Sequence, residues 1–450
     1  MSCMIITVFL NIVVVLLTCL SEKNKVTRVT YLAFNLAFFC YSCIGIYTNN
    51  IDESFYVSYI VSMITMNVFF VIGNHTYNAI YEKRTLSGVN GITVRYNNST
   101  NKIDRINDTL TQKSSIIRVL AIVYILIRAS ELFYPEFSLK YLFTGPNLLY
   151  GNLLETTRAN YHTIFGHLLS TIKTLLLPFA YMYISTKSNK IVLCYFAFDL
   201  ICVYLTGHAS IGRLTVIQVL IVMSLFFYSK SKNQAERARN RIIVIVVCIL
   251  SFMIYVFLQN IRSGNVISFS SINPIEAIKS FAKSEFFYPR NYPMAQELYE
   301  KGAYKSSTFW LWLITLPIPK AFLTIPGVDE TTSAIYRVFS YYYFGGHWYY
   351  EPGIGGMLIS VLGDGIMVYG KYLSFIIMIP FAFFLSFYLS FLRRLKYGKL
   401  LYYTTFFQFV VSFRPGVQYA LTKINSFVAI VLIIFLIRRI RTNSKYVMEE

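Results

Sequence analysis

Acidic residues are scarce in this chain: 21 Asp and Glu stand among 450 residues, against 41 Lys and Arg, and charged residues of both signs make up only 14%. A soluble domain carries about 25%, so the charge needed to cover a water-facing surface is missing. Cysteine is sparse as well. The seven cysteines (3, 19, 40, 43, 194, 202, 248) lie in or beside apolar runs, and the lone CxxC at 40–43 has no second pair at zinc-finger spacing, which argues against a disulfide frame or a zinc site and predicts thiols buried as small hydrophobes. There is no Walker lysine loop, no GxGxxG after a strand, no HExxH and no GxSxG elbow. Nucleotide hydrolysis, dinucleotide chemistry, zinc proteolysis and serine hydrolysis therefore have no visible apparatus. No half of the chain repeats the other, which weakens the case for a transporter built from internal repeats.

What is abundant is apolar surface, at 56% of residues. That excess over a soluble composition calls for lipid as the solvent, and it excludes disorder and fibrous or disulfide-scaffold classes. Apolar runs near the length of a bilayer crossing occur at 4–20, 29–47, 56–80, 115–134, 166–185, 191–207, 213–229, 242–260, 371–391, 400–413 and 421–437. The fold class predicted is an all-α polytopic membrane protein with about eleven transmembrane helices. The first run has its basic residues after it and no small-residue cleavage site, so it reads as a retained span.

Lys and Arg set the orientation. Stretches 21–28, 81–114, 186–190, 230–241, 392–399 and 438–450 hold 24 of them, and the short loops between hold 5. The alternation predicts an outer N-terminus and a cytoplasmic C-terminus. It also turns most of the +20 net charge into a topology signal, so nucleic acid is not a predicted partner. The sequons at Asn97, Asn98 and Asn107 fall in the basic loop 81–114, which this topology makes a cytoplasmic linker, and are discounted.

Three regions follow: a bundle of about eight helices over 1–260, a large outer loop over 261–370, and C-terminal helices with a basic tail over 371–450. All three Trp (310, 312, 348) lie in that loop. Its piece 308–325, interrupted by Pro317 and Pro319, suits the outer interface. The Gly-rich stretch 354–369 is predicted to be re-entrant, because a full crossing there would put 392–399 outside. Irregular backbone at that depth needs protein or a wet cavity around it, so a site is expected there.

Ionisable residues within spans, Arg118, Arg128, Lys173 and Asp199, are candidates by cost alone. Each has a plainer reading: Arg118 can snorkel from the inner end of its span, and Asp199 can pair with an arginine of another helix. At the outer ends, Arg213 opens a helix after the turn 206–212, and Arg414 stands in Ser412-Phe413-Arg414-Pro415-Gly416. A guanidinium at that level forks onto phosphate or anchors the interface. The third cluster runs Gly345-Gly346-His347-Trp348-Tyr349-Tyr350-Glu351-Pro352-Gly353, then Gly363-Asp364-Gly365-Ile366-Met367-Val368-Tyr369-Gly370. His347 titrates nearest neutrality and can accept a proton from a sugar hydroxyl. Glu351 and Asp364 can orient it or serve as the base instead. Trp348 and Tyr350 offer sugar platforms or, alternatively, an interfacial belt.

Many spans, one large late outer loop, the Gly-Arg pair at 212–213, the Pro-Lys stretch 317–320 and Gly-Asp-x4-Tyr-Gly before the last spans together resemble the Wzy-type O-antigen and capsule repeat-unit polymerases. The resemblance covers about 200–425, with hydropathy alone before it, and the acidic position is Asp364 where the family commonly has Glu. It implies a glycosyltransferase-type polymerase on the outer side of a bacterial inner membrane. Its substrates would be undecaprenyl-diphosphate-linked oligosaccharides as donor and acceptor, with no metal, nucleotide or other cofactor, and a separate chain-length regulator as partner. Arg213 and Arg414, with Arg290 or Arg337 from the loop, would then hold the diphosphate. The related ligase, and a flippase or transporter of lipid-linked sugars, are the alternatives.

Overall fold

The computed structural model describes residues 2–22, 24–89, 114–130, 164–206, 212–262, 286–316, 334–347, 357–395, 397–425 and 427–428. Helix is the only regular structure among them. The chain folds as two compact units, one of Met1–Lys102, Lys279–Phe391 and Gln408–Glu450, the other of Ile103–Ile278 and Leu392–Phe407. They follow lines different from the sequential division at 260 and 370, because the first three helices pack with the late part of the chain.

The first unit opens with α1 (Ser2–Ser21), α2 (Lys25–Phe39) and α3 (Ser54–Val89). The Asn24 side chain starts α2 by accepting from the Val26 and Thr27 backbone N–H groups at 2.9 and 3.3 Å, which satisfies two of the donors a helix start leaves open. A π-helical turn, Cys40–Ile44, then carries the helix on to Thr48. Phe34 and Phe38 of α2 meet Phe70 and Tyr59 of α3 and, from the late chain, Phe413. Inside, Asn35 and Asn67 exchange side-chain hydrogen bonds at 2.8 and 2.7 Å, the kind of pairing that polar groups between membrane helices make.

The second unit contains α4 (Ser114–Ser130), α5 (Ile164–Ser185), α6 (Asn189–Thr206), α7 (Gly212–Ser229) and α8 (Gln234–Arg262). On α8, Ile242, Ile243, Ile245, Val246, Ile249, Leu250 and Met253 are all exposed, and α1 does the same with Ile5, Ile6, Phe9, Leu16, Leu17 and Leu20. Apolar surface on this scale belongs against lipid. Among the described residues, four segments are long and apolar enough to cross a membrane: Cys3–Ser21, Lys25–Thr48, Ser54–Tyr81 and Ser360–Arg394. The chain is thus a multi-pass membrane protein, all-helical over its described residues. The expected span at 421–437 lies mostly outside the described residues, as does most of the linker 81–114.

The late part of the first unit adds α9 (Tyr292–Glu300), α10 (Ser306–Thr315), α11 (Ile335–Tyr343), α12 (Ser360–Leu373), α13 (Met378–Arg394) and the start of a helix from 417; α14 (Lys399–Ser412) is shared between the two units. Residues 360–394 do not form one straight rod. At Gly370 the backbone takes φ 76° and ψ 167°, a left-handed excursion that glycine allows cheaply. The chain doubles back there, so that Gly365 lies directly against the Ser374 carbonyl. Helix α3 braces the elbow: Ser58 donates to the Lys371 carbonyl at 2.5 Å, and the Ser62 and Ser374 hydroxyls are 3.4 Å apart.

The cysteines depart in part from expectation. Cys43 and Cys202 are buried, but Cys194 and Cys248 face outward and the other three are half-buried, all seven as free thiols. A thiol is apolar enough to face lipid, so burial by protein is not required of it.

Candidate functional site

The site grows from the turn that follows α14. Ser412 accepts the Gly416 N–H and Val411 accepts the Arg414 N–H, each at 3.0 Å. The turn rests on the first turn of α12 through two reciprocal bonds: Val361 N–H donates to the Phe413 carbonyl at 3.1 Å, and Val417 N–H donates to Asp364 Oδ2 at 2.8 Å. Between these anchors Gly416 has φ 104°, and its α-carbon sits directly against the Asp364 carboxylate. Asp364 is 2% exposed. Two motifs that are separate in sequence, Gly-Asp-x4-Tyr-Gly and Phe-Arg-Pro-Gly, are therefore one piece of structure.

Gln418 extends the assembly. Its Oε1 accepts the Ile335 N–H, the first of α11, at 2.8 Å, and its side chain bonds the Tyr304 phenol. Burial pushes the Tyr304 phenol above its ordinary range, and the nearby Asp364 carboxylate pushes the same way. At the foot of α12, the Ser360 hydroxyl meets the Tyr292 phenol of α9 at 2.9 Å, and Asn291 Nδ2 donates to the Leu358 carbonyl at 3.3 Å. Ser340 of α11 accepts the Met357 N–H at 2.7 Å.

Three cations of the expected set are carried on this frame. The Arg414 guanidinium carbon lies 5.5 Å from the Tyr288 ring centre, and that of Arg290 lies 4.5 Å from the Phe287 ring centre. Phe287 and Tyr288 stack with centres 4.4 Å apart. Both guanidiniums thus sit on one stacked ring pair, an arrangement that holds the planar ions by their faces. Arg414 is half-buried and Arg290 exposed. Arg337 lies on α11 in contact with Tyr336. His347, exposed, ends the turn after α11, where Gly346 N–H closes onto the Tyr341 carbonyl at 2.8 Å.

The structure brings together Asp364, Arg414 and Arg290, and links α11, with Arg337 and His347, to the same turn through Gln418. Trp348, Tyr350 and Glu351 lie outside the described residues. Arg213 is the second residue of α7 in the other unit, and its side chain is likewise outside the described residues. Sequence reasoning missed Tyr288, Tyr304 and Gln418. The aromatic and proline run Phe286-Phe287-Tyr288-Pro289-Arg290 was a signal for the first; nothing local marks the other two.

In the second unit, Arg128 Nη2 lies 3.8 Å from Asp199 Oδ1, and the Tyr181 phenol donates to Asp199 Oδ2 at 3.3 Å. Lys173 is within electrostatic reach of the same carboxylate. Three of the four ionisable residues expected within spans converge, and Arg118 is exposed near the start of α4. No group of three or more metal-ligating side chains occurs among the described residues. Comparison with known proteins finds no similar family, curated protein or solved structure.

Proposed function

We propose that this chain is a polymerase of oligosaccharide repeat units carried on undecaprenyl diphosphate, working at the outer side of a bacterial inner membrane. The observation that carries the reading is the pair of arginines, Arg414 and Arg290, mounted on the Phe287–Tyr288 ring pair beside the clamped 413–417 turn. Oriented guanidiniums suit a diphosphate, which gains negative charge as it leaves. The resemblance of the same motifs to the Wzy-type polymerases supplies the substrate class. The topology that goes with it has about eleven crossings, an outer N-terminus, a cytoplasmic C-terminus and the arm of α12 as a re-entrant segment.

In the transfer, the acceptor hydroxyl oxygen bonds to the anomeric carbon of the donor chain, the carbon–oxygen bond to the diphosphate breaks, and undecaprenyl diphosphate departs with the bonding pair. The hydroxyl proton passes to His347, whose imidazole has a nitrogen able to accept it. Arg414 and Arg290, with Arg337, hold the diphosphate. Trp348 and Tyr350 supply sugar platforms.

A flippase or transporter of the same lipid-linked sugars is the second reading. It is favoured by the buried Arg128–Asp199 pair with Lys173 nearby, since ionisable groups inside a bundle often mark a path. The test is deletion of the gene in its own host, with surface polysaccharide compared on gels. A polymerase leaves a single repeat unit on the core and no ladder; a ligase or a flippase leaves no repeat unit, and the side of the membrane on which the lipid intermediate accumulates separates those two. Complementation with Arg414→Ala should fail to restore the ladder at normal protein level, and full-length polymer from that variant would remove Arg414 from the mechanism.

A further inference from the structure

We infer that Asp364 is a positioning residue that aims the Arg414 turn, and not the base of the transfer; the inference rests on the polymerase reading. Residues 413–417 are fastened at both ends to the first turn of α12, through Val361 N–H to the Phe413 carbonyl and Val417 N–H to Asp364 Oδ2. Arg414 is the one ionisable residue between those anchors. Gly416 brings backbone right up to the carboxylate, so the turn has a single seat on it.

Access argues the same way. A base must come within about 2.6–3.2 Å of the hydroxyl it deprotonates, or reach it through one water. Asp364 lies in the middle of a stretch, Ser360 to Val368, that is buried throughout, and its Oδ2 is occupied by Val417. Gln418, next after the turn, ties α11 to it by accepting the Ile335 N–H. A displaced turn would therefore move Arg414 and the helix carrying Arg337 together, and a shift of about 1 Å is enough to cost a large share of rate.

The chemistry gives a clean discriminator, because an acceptor oxygen is all that a clamp needs. The carboxamide of Asp364→Asn keeps that oxygen and loses any capacity as a base, and Asp364→Ala keeps neither. Val417→Pro removes the donor from the other side at the first position of a helix, where proline is tolerated. The experiment uses full-length protein in detergent micelles with lipid-linked repeat units, measured across the neutral pH range. Asp364→Asn should keep most of the transfer rate and the parental pH profile. Asp364→Ala and Val417→Pro should each lose about tenfold, the worth of a buried hydrogen bond with one partner left unpaired, mainly through a raised KM for the lipid-linked unit. Transfer by Asp364→Asn as poor as that of Asp364→Ala, or loss of a limb of its pH profile, would overturn the inference.

Hydrogen exchange of the peptide 413–420 reads the clamp without activity. The Val417 amide should be protected in the parent and in Asp364→Asn and exposed in Asp364→Ala. Protection that survives Asp364→Ala would refute the clamp. If the parent protein shows no transfer while the exchange pattern holds, the polymerase reading falls and the aiming of the turn by Asp364 stands.

Discussion

Asp364 and Gly416 meet with no room for a side chain between them. The carboxylate lies against the glycine α-carbon, at a backbone angle of φ 104° that L side chains rarely adopt, and the next amide along donates to it.

Gly416→Ala should therefore be among the most damaging single-methyl additions in the chain. The backbone strain costs of order 1–3 kcal/mol, and the added carbon has no space beside Asp364. A clear fall in thermal unfolding temperature in micelles is expected, and an unchanged value would show that the turn has another way to sit.

Gly370→Ala tests the elbow between α12 and α13. A Cβ there would lie 2.7 Å from the Tyr299 ring, at φ 76°. Tyr299→Ala removes the ring but not the backbone strain, so the double variant should recover only part of the lost stability. Full recovery would mean that contact alone makes glycine necessary.

Asp199→Ala should destabilise the second unit by about 3–5 kcal/mol, because it leaves the Arg128 charge without its carboxylate in a buried setting. Removing both, as Arg128→Met with Asp199→Leu, should cost much less. Equal losses from the single and double variants, in thermal unfolding, would count against coupling of the pair.

The tie between Asp52 and Lys371, 3.9 Å apart, predicts a pH dependence. The Ser54 hydroxyl and backbone N–H donate to Asp52 and hold its carboxyl below the usual carboxylate range, and the Lys371 charge adds to this. A depressed folded-state pKa gives stability that is present above the unfolded value of about 3.9 and is lost as pH falls through the lower folded value. Asp52→Asn should accordingly lower the unfolding temperature modestly at neutral pH and converge with the parent in acid. A difference that persists in acid would assign the effect to something other than charge.

The sequence made the helices legible because a bilayer leaves a coarse signature. The apolar runs at 4–20, 29–47 and 56–80 correspond to Cys3–Ser21, Lys25–Thr48 and Ser54–Tyr81, and Asn24 stands where a start signal should. Arg414 and Asp364 could be picked out singly, as a cation at a span end and an acid in a Gly-rich stretch. Their union could not, because a side chain accepting from a backbone amide 53 residues away has no period and no local composition. Gln418 was invisible for the same reason: an amide that caps another helix looks like any polar residue until the partner is in place. Arg290 gained its meaning only when Phe287 and Tyr288 stacked beneath two guanidiniums.

The reversal at Gly370 gives the re-entrant reading a consequence for sidedness. By length and composition Ser360–Arg394 is one 35-residue segment, yet its helix breaks at Gly370 and turns back on itself. If the arm before that break is a cul-de-sac, as proposed, it leaves the parity of the crossings untouched. A tag placed beside the outward-facing Tyr372, 70% exposed, should then report the compartment from which the arm set out, and a tag on the opposite side would make the arm a full crossing.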